Sequence, residues 1–285
     1  MKTIIITGAN SGLGFETAKK VAKNKDYKVI LACRNMEKAE QAKEKITRET
    51  GNDNITTMQL DTSSLASVRN FSEKIAASGE KVDALVNNAG ITAMGNSGMT
   101  EEGFELVFAT NYLGHFLLIQ SLLPHMAEDG RIVNVSSDMH NPPGGGMAWP
   151  GVETIAHPAE DDRKKYSYSK LCMIYLTHEL SRRLQEEGRH VIVNSFNPGF
   201  MADTNFSKGG GKARELMVKT TMPDRYGKLE TSSDALAQLV TEEKFGTVSG
   251  EYFDRSTNTA RSSELSYNDE NAAELWKKSM EYCAL

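Results

Sequence analysis

The stretch TGANSGLG, residues 7–14, follows a short β-branched run near the start of the chain and opens a segment of helical periodicity. Its glycines at positions 8, 12 and 14 allow a tight turn, a close approach of the backbone to a phosphate, and close packing of a helix on a strand. The N-terminus of that helix offers unpaired N–H groups and the positive end of a helix dipole. A glycine-rich turn without a ligand can have the same spacing, but the order of strand, glycines and helix favours a bound pyrophosphate.

Short β-branched or apolar runs alternate with longer segments of helical period along most of the chain. The predicted strands are Thr3–Thr7, Val29–Cys33, Thr56–Leu60, Ala84–Asn87, Arg131–Ser136 and Val191–Phe196. The predicted helices are Gly14–Lys23, Met36–Thr50, Leu65–Ser78, Glu101–His125, Tyr166–Glu187 and Thr231–Thr241. This alternation predicts an α/β fold with a doubly wound parallel sheet of Rossmann type, in a single domain over residues 1–285.

Two longer segments interrupt the alternation, residues 138–165 and residues 200–229, and each contains three consecutive glycines. Both follow a predicted strand and therefore lie at the carboxyl edge of the sheet, where doubly wound folds bind ligands. Long loops in compact domains often serve as lids. We predict that these two segments frame a substrate pocket.

The composition is that of a globular protein with a small-molecule partner. Hydrophobic residues make up 39% of the 285 residues, and a net charge of -5 disfavours binding to nucleic acid or to an anionic membrane surface. The first apolar run is shorter than a signal-peptide core or a membrane span, so we expect a cytoplasmic protein. The three cysteines are far apart and the histidines lack metal-ligand spacing, which predicts free thiols and no metal site.

Arg34 occupies the position, about 20 residues beyond the glycines, where folds that bind NAD carry an acidic residue for the ribose hydroxyls. A carboxylate would repel a 2′-phosphate, whereas a guanidinium can bind it through paired, charge-assisted hydrogen bonds. The sequence therefore predicts NADPH rather than NADH. A surface arginine without a ligand is the alternative interpretation.

The stretch KKYSYSK, residues 164–170, contains two tyrosine and lysine pairs with the same spacing, Tyr166 with Lys170 and Lys164 with Tyr168. At about 100° per residue, Tyr166 and Lys170 share a helix face with apolar residues further along, whereas Tyr168 lies near charged positions. We therefore predict that Tyr166 faces the protein and that Tyr168 faces water or a partner subunit. A buried lysine beside Tyr166 would lower the pKa of the phenol toward the range that suits proton transfer.

Several motifs in a fixed order resemble those of the short-chain dehydrogenase/reductase family. They are TGANSGLG, NNAG at residues 87–90, NYLG at 111–114, VNVSS ending at Ser137, YSYSK at 166–170 and NPG at 197–199. The resemblance covers nearly the whole chain. ACRN at residues 32–35, the residues around Asn111 and the C-terminal pattern from SGEYF to LWKKS are similar to the branch that contains retinol dehydrogenases and light-dependent protochlorophyllide reductase.

The resemblance implies four catalytic residues, Asn111, Ser137, Tyr166 and Lys170. Tyr166 would donate or accept the proton, and Lys170 would lower its pKa and bind the nicotinamide ribose. Ser137 would hydrogen-bond the substrate oxygen, and Asn111 would hold a water that connects Lys170 to bulk solvent. Ser137 could instead cap a strand end, and Asn111 could satisfy a helix backbone.

The predicted contacts to NADPH or NADP+ also include the catalytic Tyr166 and Lys170. The others come from the glycine loop, the ends of the second, third and fourth strands, and the NPG segment: Gly8, Asn10, Ser11, Gly12, Leu13, Gly14, Arg34, Asn35, Asp61, Thr62, Asn88, Ala89, Gly90, Pro198, Gly199 and Met201. The family usually has a threonine five positions after the proline of NPG. Here Asp203 stands there and Thr204 follows, so the contact made at that position stays open.

The resulting functional prediction is an NADPH-dependent oxidoreductase that interconverts a carbonyl and an alcohol on a small, apolar or aromatic molecule. Apolar residues of the two long segments, such as Met147, Trp149, Ile155 and Phe206, suit such a substrate, although they could equally pack onto the domain. Phe200 replaces the cysteine that protochlorophyllide reductases carry after Pro-Gly, which disfavours light-driven reduction of a C=C bond.

Other interpretations stay open beside this one. They are a C=C reductase of the protochlorophyllide reductase type and a non-catalytic protein that binds NADPH as a sensor. The apolar surface near Leu171, Cys172 and Tyr175 also suggests a possible homodimer.

Overall fold

The computed structural model describes residues 1–201 and 211–285, with the backbone alone at residues 211–215. Within these ranges the core is a sheet of eight strands in the order β3-β2-β1-β4-β5-β6-β7-β8. The strands are β1 (Lys2–Thr7), β2 (Tyr27–Cys33), β3 (Ile55–Gln59), β4 (Val82–Asn87), β5 (Met126–Val135), β6 (Ile192–Asn197), β7 (Tyr252–Asp254) and β8 (Thr259–Ala260). Neighbouring strands are parallel except for β7 and β8, which are antiparallel.

Helices cover both faces of the sheet. The α-helices are α1 (Gly12–Ala22), α2 (Met36–Thr50), α3 (Leu65–Ser78), α4 (Leu106–Phe108), α5 (Gly114–Leu122), α6 (Val152–Ala156), α7 (Lys165–Glu186), α8 (Gly211–Thr221), α9 (Leu229–Thr241) and α10 (Asp269–Tyr282). A π-helical turn, Ala109–Leu113, joins α4 to α5. Short 3-10 turns lie at Leu123–His125, Asp138–His140, Pro223–Arg225, Glu243–Phe245 and Glu264–Tyr267.

The central strands are apolar on both faces because helices pack against each side. β1 is buried from Thr3 to Thr7, and alternate residues contribute to two separate clusters. Ile5 packs with residues of α3, α5 and α7 on one face, while Ile4 and Ile6 pack with residues of α1, α2 and α9 on the other. The strand order reverses between β1 and β4, which opens a crevice at their carboxyl ends.

The predicted doubly wound α/β fold in a single domain is confirmed, and the helices Met36–Thr50 and Leu65–Ser78 have the predicted bounds. The predicted helix from Glu101 is wrong over its first five residues, because regular helix begins only at Leu106. The prediction also omitted β7, β8 and α10. The segment 200–229 is not simply a loop, since α8 lies within it. Asp203, Thr204 and Phe206 lie outside the described residues.

The outer face of α7 is covered by the chain itself, which corrects the prediction that Tyr168 faces water or a partner subunit. Tyr168 is 7% exposed and belongs to the same apolar cluster as Val152 and Ile155 of α6. Tyr175 is fully buried, and its hydroxyl donates to the carbonyl oxygen of Leu265 at 2.7 Å. Leu171 and Cys172 are also fully buried, so the apolar surface that suggested a homodimer is not available to a second copy.

The helical segment Leu106–His125 is long and apolar enough to cross a membrane, but 83% of its most apolar window is buried inside the fold. Helix α3 packs against α5, and α4 packs against α7. The apolar composition of this segment therefore reflects a central position in the core.

Candidate active site

A cavity of about 1000 Å³ lies at the carboxyl edge of the sheet. Most of the predicted catalytic and cofactor residues line it, namely Gly8, Asn10, Ser11, Gly12, Leu13, Arg34, Asp61, Thr62, Asn88, Ala89, Gly90, Ser137, Tyr166, Lys170, Pro198, Gly199 and Met201. Gly14, Asn35 and Asn111 were also predicted but do not line the cavity. The crevice therefore gathers residues at the carboxyl ends of β1 to β6.

The glycine loop is packed so tightly that side chains are excluded at two positions. A Cβ on Gly14 would lie 2.5 Å from Nδ2 of Asn88, and Gly8 has φ = +66°. Thr7 fixes the neighbouring segment, because its Oγ1 accepts hydrogen bonds from the main-chain N–H groups of Asn88 at 2.9 Å and Ala89 at 2.8 Å. These exclusions leave main-chain atoms on the cavity wall at the start of α1, which fits a bound pyrophosphate.

Arg34 and Asp61 stand side by side where β2 and β3 end. The Arg34 side chain is 69% exposed, and its Nε lies 3.9 Å from Oδ2 of Asp61. Oδ1 of Asp61 accepts from the Ser63 hydroxyl at 2.6 Å. Asn35, predicted as a cofactor contact, caps α2 instead, since its Oδ1 accepts from the N–H of Lys38 at 2.9 Å. A cationic and an anionic group thus flank the cavity at the end opposite Tyr166.

Ser137, Tyr166 and Lys170 meet on the wall of the cavity. Ser137 follows β5, and its hydroxyl is hydrogen-bonded to that of Tyr166 in the first turn of α7. Lys170 lies one turn further along, 5.7 Å from the centre of the Tyr166 ring, and its Nζ donates to the carbonyl oxygen of Val135 at 2.9 Å. The arrangement places two hydroxyl groups and one ammonium group beside the same space.

Burial shifts the pKa values of both titratable groups in this triad. It lowers the pKa of Lys170 from 10.5 to about 8, because desolvation disfavours the ammonium. It raises the pKa of Tyr166 well above 10, and the hydrogen bond from Ser137 offsets part of that rise. The lower pKa of Tyr166 that the sequence suggested is not found in the protein alone, where desolvation of the phenolate is the largest effect.

Asn111 lies behind the cavity wall, within the π-helical turn. Its Oδ1 accepts from the N–H of Ile91 at 2.8 Å, and its Nδ2 donates to Oγ of Ser169 at 3.0 Å. The main-chain carbonyl oxygen of Asn111 accepts a hydrogen bond from Nδ1 of His115 at 3.1 Å. Burial lowers the pKa of His115 to about 4, so this histidine is neutral. The Asn111 side chain thus fixes the segment that follows NNAG. π-turns of this kind occur frequently at functional sites.

The NPG segment forms the wall opposite the glycine loop. Gly199 has φ = +74°, and a Cβ on it would lie 2.8 Å from Cδ of Arg255 and 2.8 Å from the backbone of Gly227. Asn197 accepts from the N–H of Gly199 at 2.9 Å. The sequence did not predict a role in the site for Arg255 or for Asn197. The NPG motif was the only signal for Asn197, and nothing local marks Arg255.

The other end of the cavity is lined by both long segments. Residues 138–165 contribute Asp138, Met139, Pro143, Asp161, Arg163 and Lys165, and residues 200–229 contribute Phe200, Met201, Met217, Val218, Met222 and Arg225. Met147, Trp149 and Ile155 pack elsewhere, against the apolar cluster on the outer side of α7. The ring of Trp149 makes an edge contact with Tyr175 at 5.2 Å. Part of the first segment therefore covers α7 and does not frame the pocket.

Comparisons with known proteins agree with this architecture. Residues 2–149 match the family model described as short chain dehydrogenase. The chain is 37% identical to retinol dehydrogenase 13 from Homo sapiens, over 98% of this chain and 83% of that protein. It is 33% identical to polyprenol dehydrogenase from Homo sapiens, over 98% of this chain and 84% of that protein. The crystal structure of a putative uncharacterized protein from Mycobacterium paratuberculosis is 27% identical and superimposes with a TM-score of 0.75, covering 100% of this chain and 94% of that one.

Proposed function

Since this chain belongs to the short-chain dehydrogenase/reductase family, we propose that it is an NADPH-dependent oxidoreductase that interconverts a carbonyl and an alcohol. The observation that carries this proposal is the meeting of Ser137, Tyr166 and Lys170 beside the cavity that the glycine loop also lines. Two hydroxyl groups and an ammonium group beside one space suit proton transfer to a single oxygen atom.

When bound, NADPH supplies the hydride that adds to the carbonyl carbon. Tyr166 donates its phenolic proton to the carbonyl oxygen, which becomes the hydroxyl of the alcohol. Ser137 donates a hydrogen bond to the same oxygen and stabilises the negative charge that develops there. The Lys170 ammonium, buried within reach of the Tyr166 ring, stabilises the phenolate that remains. In the oxidation of an alcohol, Tyr166 accepts the proton instead.

The preference for NADPH rests on Arg34. Its guanidinium is exposed at the end of β2 and is held only loosely by Asp61 at 3.9 Å, so it is available to a phosphate. Bidentate contact between guanidinium and phosphate is stronger and more directional than a contact between neutral groups. Asp61 at the same place would accept from hydroxyl or amino groups of the adenosine.

The substrate is proposed to be a small, apolar or aromatic molecule. Phe200, Met217, Val218 and Met222 line the end of the cavity beyond Tyr166, and side chains of this type favour apolar groups. The names of the two human relatives specify alcohols, retinol and polyprenol, which supports an alcohol or carbonyl substrate. Phe200 next to Gly199 disfavours the alternative of a pigment C=C reductase.

The direct test is a panel of ketones, aldehydes and alcohols assayed for oxidation of NADPH and of NADH, or for reduction of their oxidised forms. We expect turnover with at least one apolar carbonyl compound and NADPH. Binding of NADPH without turnover of any panel member, measured alongside an active family member, would favour the non-catalytic sensor instead. Fractionation of cells would test the cytoplasmic location that we propose, and light scattering would test for a homodimer.

The Arg34→Ala variant tests the preference for NADPH over NADH. Removing the guanidinium should weaken NADPH binding about 10- to 100-fold and leave NADH binding nearly unchanged, because only NADPH carries the 2′-phosphate. Fluorescence titration of both cofactors measures this. Arg48→Ala is the matched control, since Arg48 is an exposed arginine at the far end of α2. Equal losses for both cofactors would show that Arg34 does not recognise the phosphate.

A further inference from the structure

A set of polar side chains connects the turn after β7 to the segment that carries Ser137. Asn197, the last residue of β6, is central to it. Its Oδ1 accepts from the main-chain N–H groups of Asp138 at 3.2 Å and Gly199 at 2.9 Å, and its Nδ2 donates to Oδ1 of Asp254 at 2.7 Å. One amide therefore fixes the Ser137–Asp138 segment and the Pro198–Gly199 segment with respect to β7.

Arg255 contacts every part of this set. Its guanidinium donates to Oδ2 of Asp254, and its Nη1 lies 3.7 Å from Oδ2 of Asp138. Its main-chain N–H donates to the carbonyl oxygen of Asn197 at 2.7 Å. Its Cδ lies so close to Gly199 that a Cβ there would come within 2.8 Å. The side chain thus fills the space between the residue after Ser137 and the glycine that lines the cavity.

The backbone of Arg255 is strained. Its φ is +56°, and within residues 1–201 and 211–285 only one other non-glycine residue, Ala284, has a positive φ. An arginine in this conformation is less stable than a glycine would be. Nη1 of Arg255 is also buried and has no hydrogen-bond partner among the described residues, apart from its ionic contact with Asp138. Strain of this kind persists where the surrounding structure imposes it, and it often marks a functional role.

We infer that Arg255 is a positioning residue for the proposed reaction, which holds the Ser137–Asp138 segment against Gly199 and neutralises the Asp138 carboxylate beside Tyr166. This inference rests on the proposed function. It assigns a role in that function to the turn between β7 and β8, which lies outside the cavity and outside the sequence motifs.

The charge of Asp138 matters because Asp138 follows Ser137, whose hydroxyl is hydrogen-bonded to Tyr166, and lines the same cavity as Tyr166. A carboxylate near the phenol disfavours the phenolate and raises the pKa of Tyr166. Arg255 and Arg225 oppose this by balancing the carboxylate charge, and burial of Asp138 raises the pKa of the carboxyl itself. The other titratable or charged groups around Asp138 and Tyr166 are His140, Lys170, Tyr252 and Asp254.

The first test is Arg255→Gly, which relieves the backbone strain while it removes the guanidinium. We expect a melting temperature within a few degrees of the wild type, a kcat lower by about tenfold or more, and a KM for NADPH raised only a few fold. In alcohol oxidation, where Tyr166 must lose its proton, the rise of kcat with pH should move upward by roughly half a unit. Arg255→Lys keeps the charge and should restore most of kcat and the original pH profile.

Two further variants separate the charge effect from the packing effect. Asp138→Asn removes the carboxylate, so the pH at which kcat rises should move downward. In the combined Asp138→Asn and Arg255→Gly variant, the loss of Arg255 should no longer move this pH upward. Arg261→Met is the control, because Arg261 is a nearby arginine on the surface. It contacts the carboxylate of the exposed Glu264 at 3.0 Å and the ring of Tyr267. It should leave kcat, the pH profile and NADPH affinity unchanged.

The outcomes distinguish this inference from the function on which it rests. A wild-type protein that turns over no substrate of the panel overturns the proposed function and the inference together. An active wild type with an Arg255→Gly variant of equal kcat and unchanged pH profile overturns the inference alone. A variant with lower kcat, an unshifted profile and a much lower melting temperature would reduce Arg255 to a structural residue and overturn the positioning role.

Discussion

Helix α7 has one side beside the cavity, where Lys170 is buried and Tyr166 is half-buried, and another side that packs fully into the apolar core. Polar side chains and main-chain atoms surround Tyr166 and Lys170 in the cavity, and apolar side chains such as Met217 line its far end. Tyr168, Leu171 and Tyr175 lie under α6, the segment around Trp149 and α10, within an apolar cluster. Burial alone therefore does not identify the reactive tyrosine of KKYSYSK. The groups opposite each tyrosine distinguish the two. Substitutions beside the cavity should therefore change kcat, and substitutions on the other side should change stability.

The largest expected effect is on catalysis, at Tyr166. Tyr166→Phe keeps the ring and removes the proton, so kcat should fall at least about 100-fold while NADPH affinity changes little. Tyr168→Phe is the matched control on the other side of the helix, and its kcat should stay within about threefold of the wild type. Steady-state assays on the best substrate of the panel, with fluorescence titration of NADPH, measure both. The reverse ranking of the two variants would assign the chemistry to Tyr168.

A large effect on stability is expected from the covered side. Leu275 of α10 is 1% exposed within the apolar cluster around α7, so Leu275→Ala should lower the free energy of unfolding by about 2–4 kcal/mol. The kcat of the folded fraction should stay near the wild-type value. Urea denaturation measures the loss, and Leu285→Ala, at a leucine that is 49% exposed, should cost far less. A large fall in kcat without loss of stability would contradict a purely structural role for this side.

The smallest of these effects concerns the stability cost of the buried lysine. The folded pKa of Lys170, about 8, lies below the unfolded value of 10.5, so the folded protein binds this proton less tightly than the unfolded chain. Below pH 8 the buried charge destabilises the fold; this penalty shrinks as pH rises from 8 to 10.5 and is absent above that range.

Lys170→Met should therefore raise the free energy of unfolding at pH 7 by about 1–2 kcal/mol, after allowance for the lost hydrogen bond to Val135. The gain should disappear near pH 10.5, and activity should be lost. Lys164→Met, at an exposed lysine, should show no such pH dependence. Denaturation at pH 7, 9 and 10.5 compares the two variants. A Lys170→Met protein less stable than the wild type at pH 7 would indicate that the ammonium stabilises the fold.

Local sequence signals predicted the first half of the fold well, because each element there carries its own pattern. The alternation of β-branched runs with amphipathic helices, and the glycines before α1, predicted β1 to β4 and the crevice they form. β7 and β8 were missed because they are only three and two residues long, whereas α10, with 14 residues, was missed despite its length. Their pairing with β6 comes from contacts that no short-range pattern records.

Local patterns in the sequence predicted the glycine loop and the tyrosine and lysine pair as candidate sites, because glycine spacing and helical spacing are local properties. Helical spacing correctly grouped Tyr166 with Lys170 on one side of α7, beside the cavity, but the same pattern wrongly predicted that Tyr168 faces water or a partner subunit. What covers the other side of α7 follows from tertiary contacts, because α10 comes from a distant part of the chain and α6 folds back over α7 from the segment that precedes it. The same holds for Arg255, whose partners Asp138 and Gly199 lie more than 50 residues away in the chain and meet it only when β6 and β7 pair.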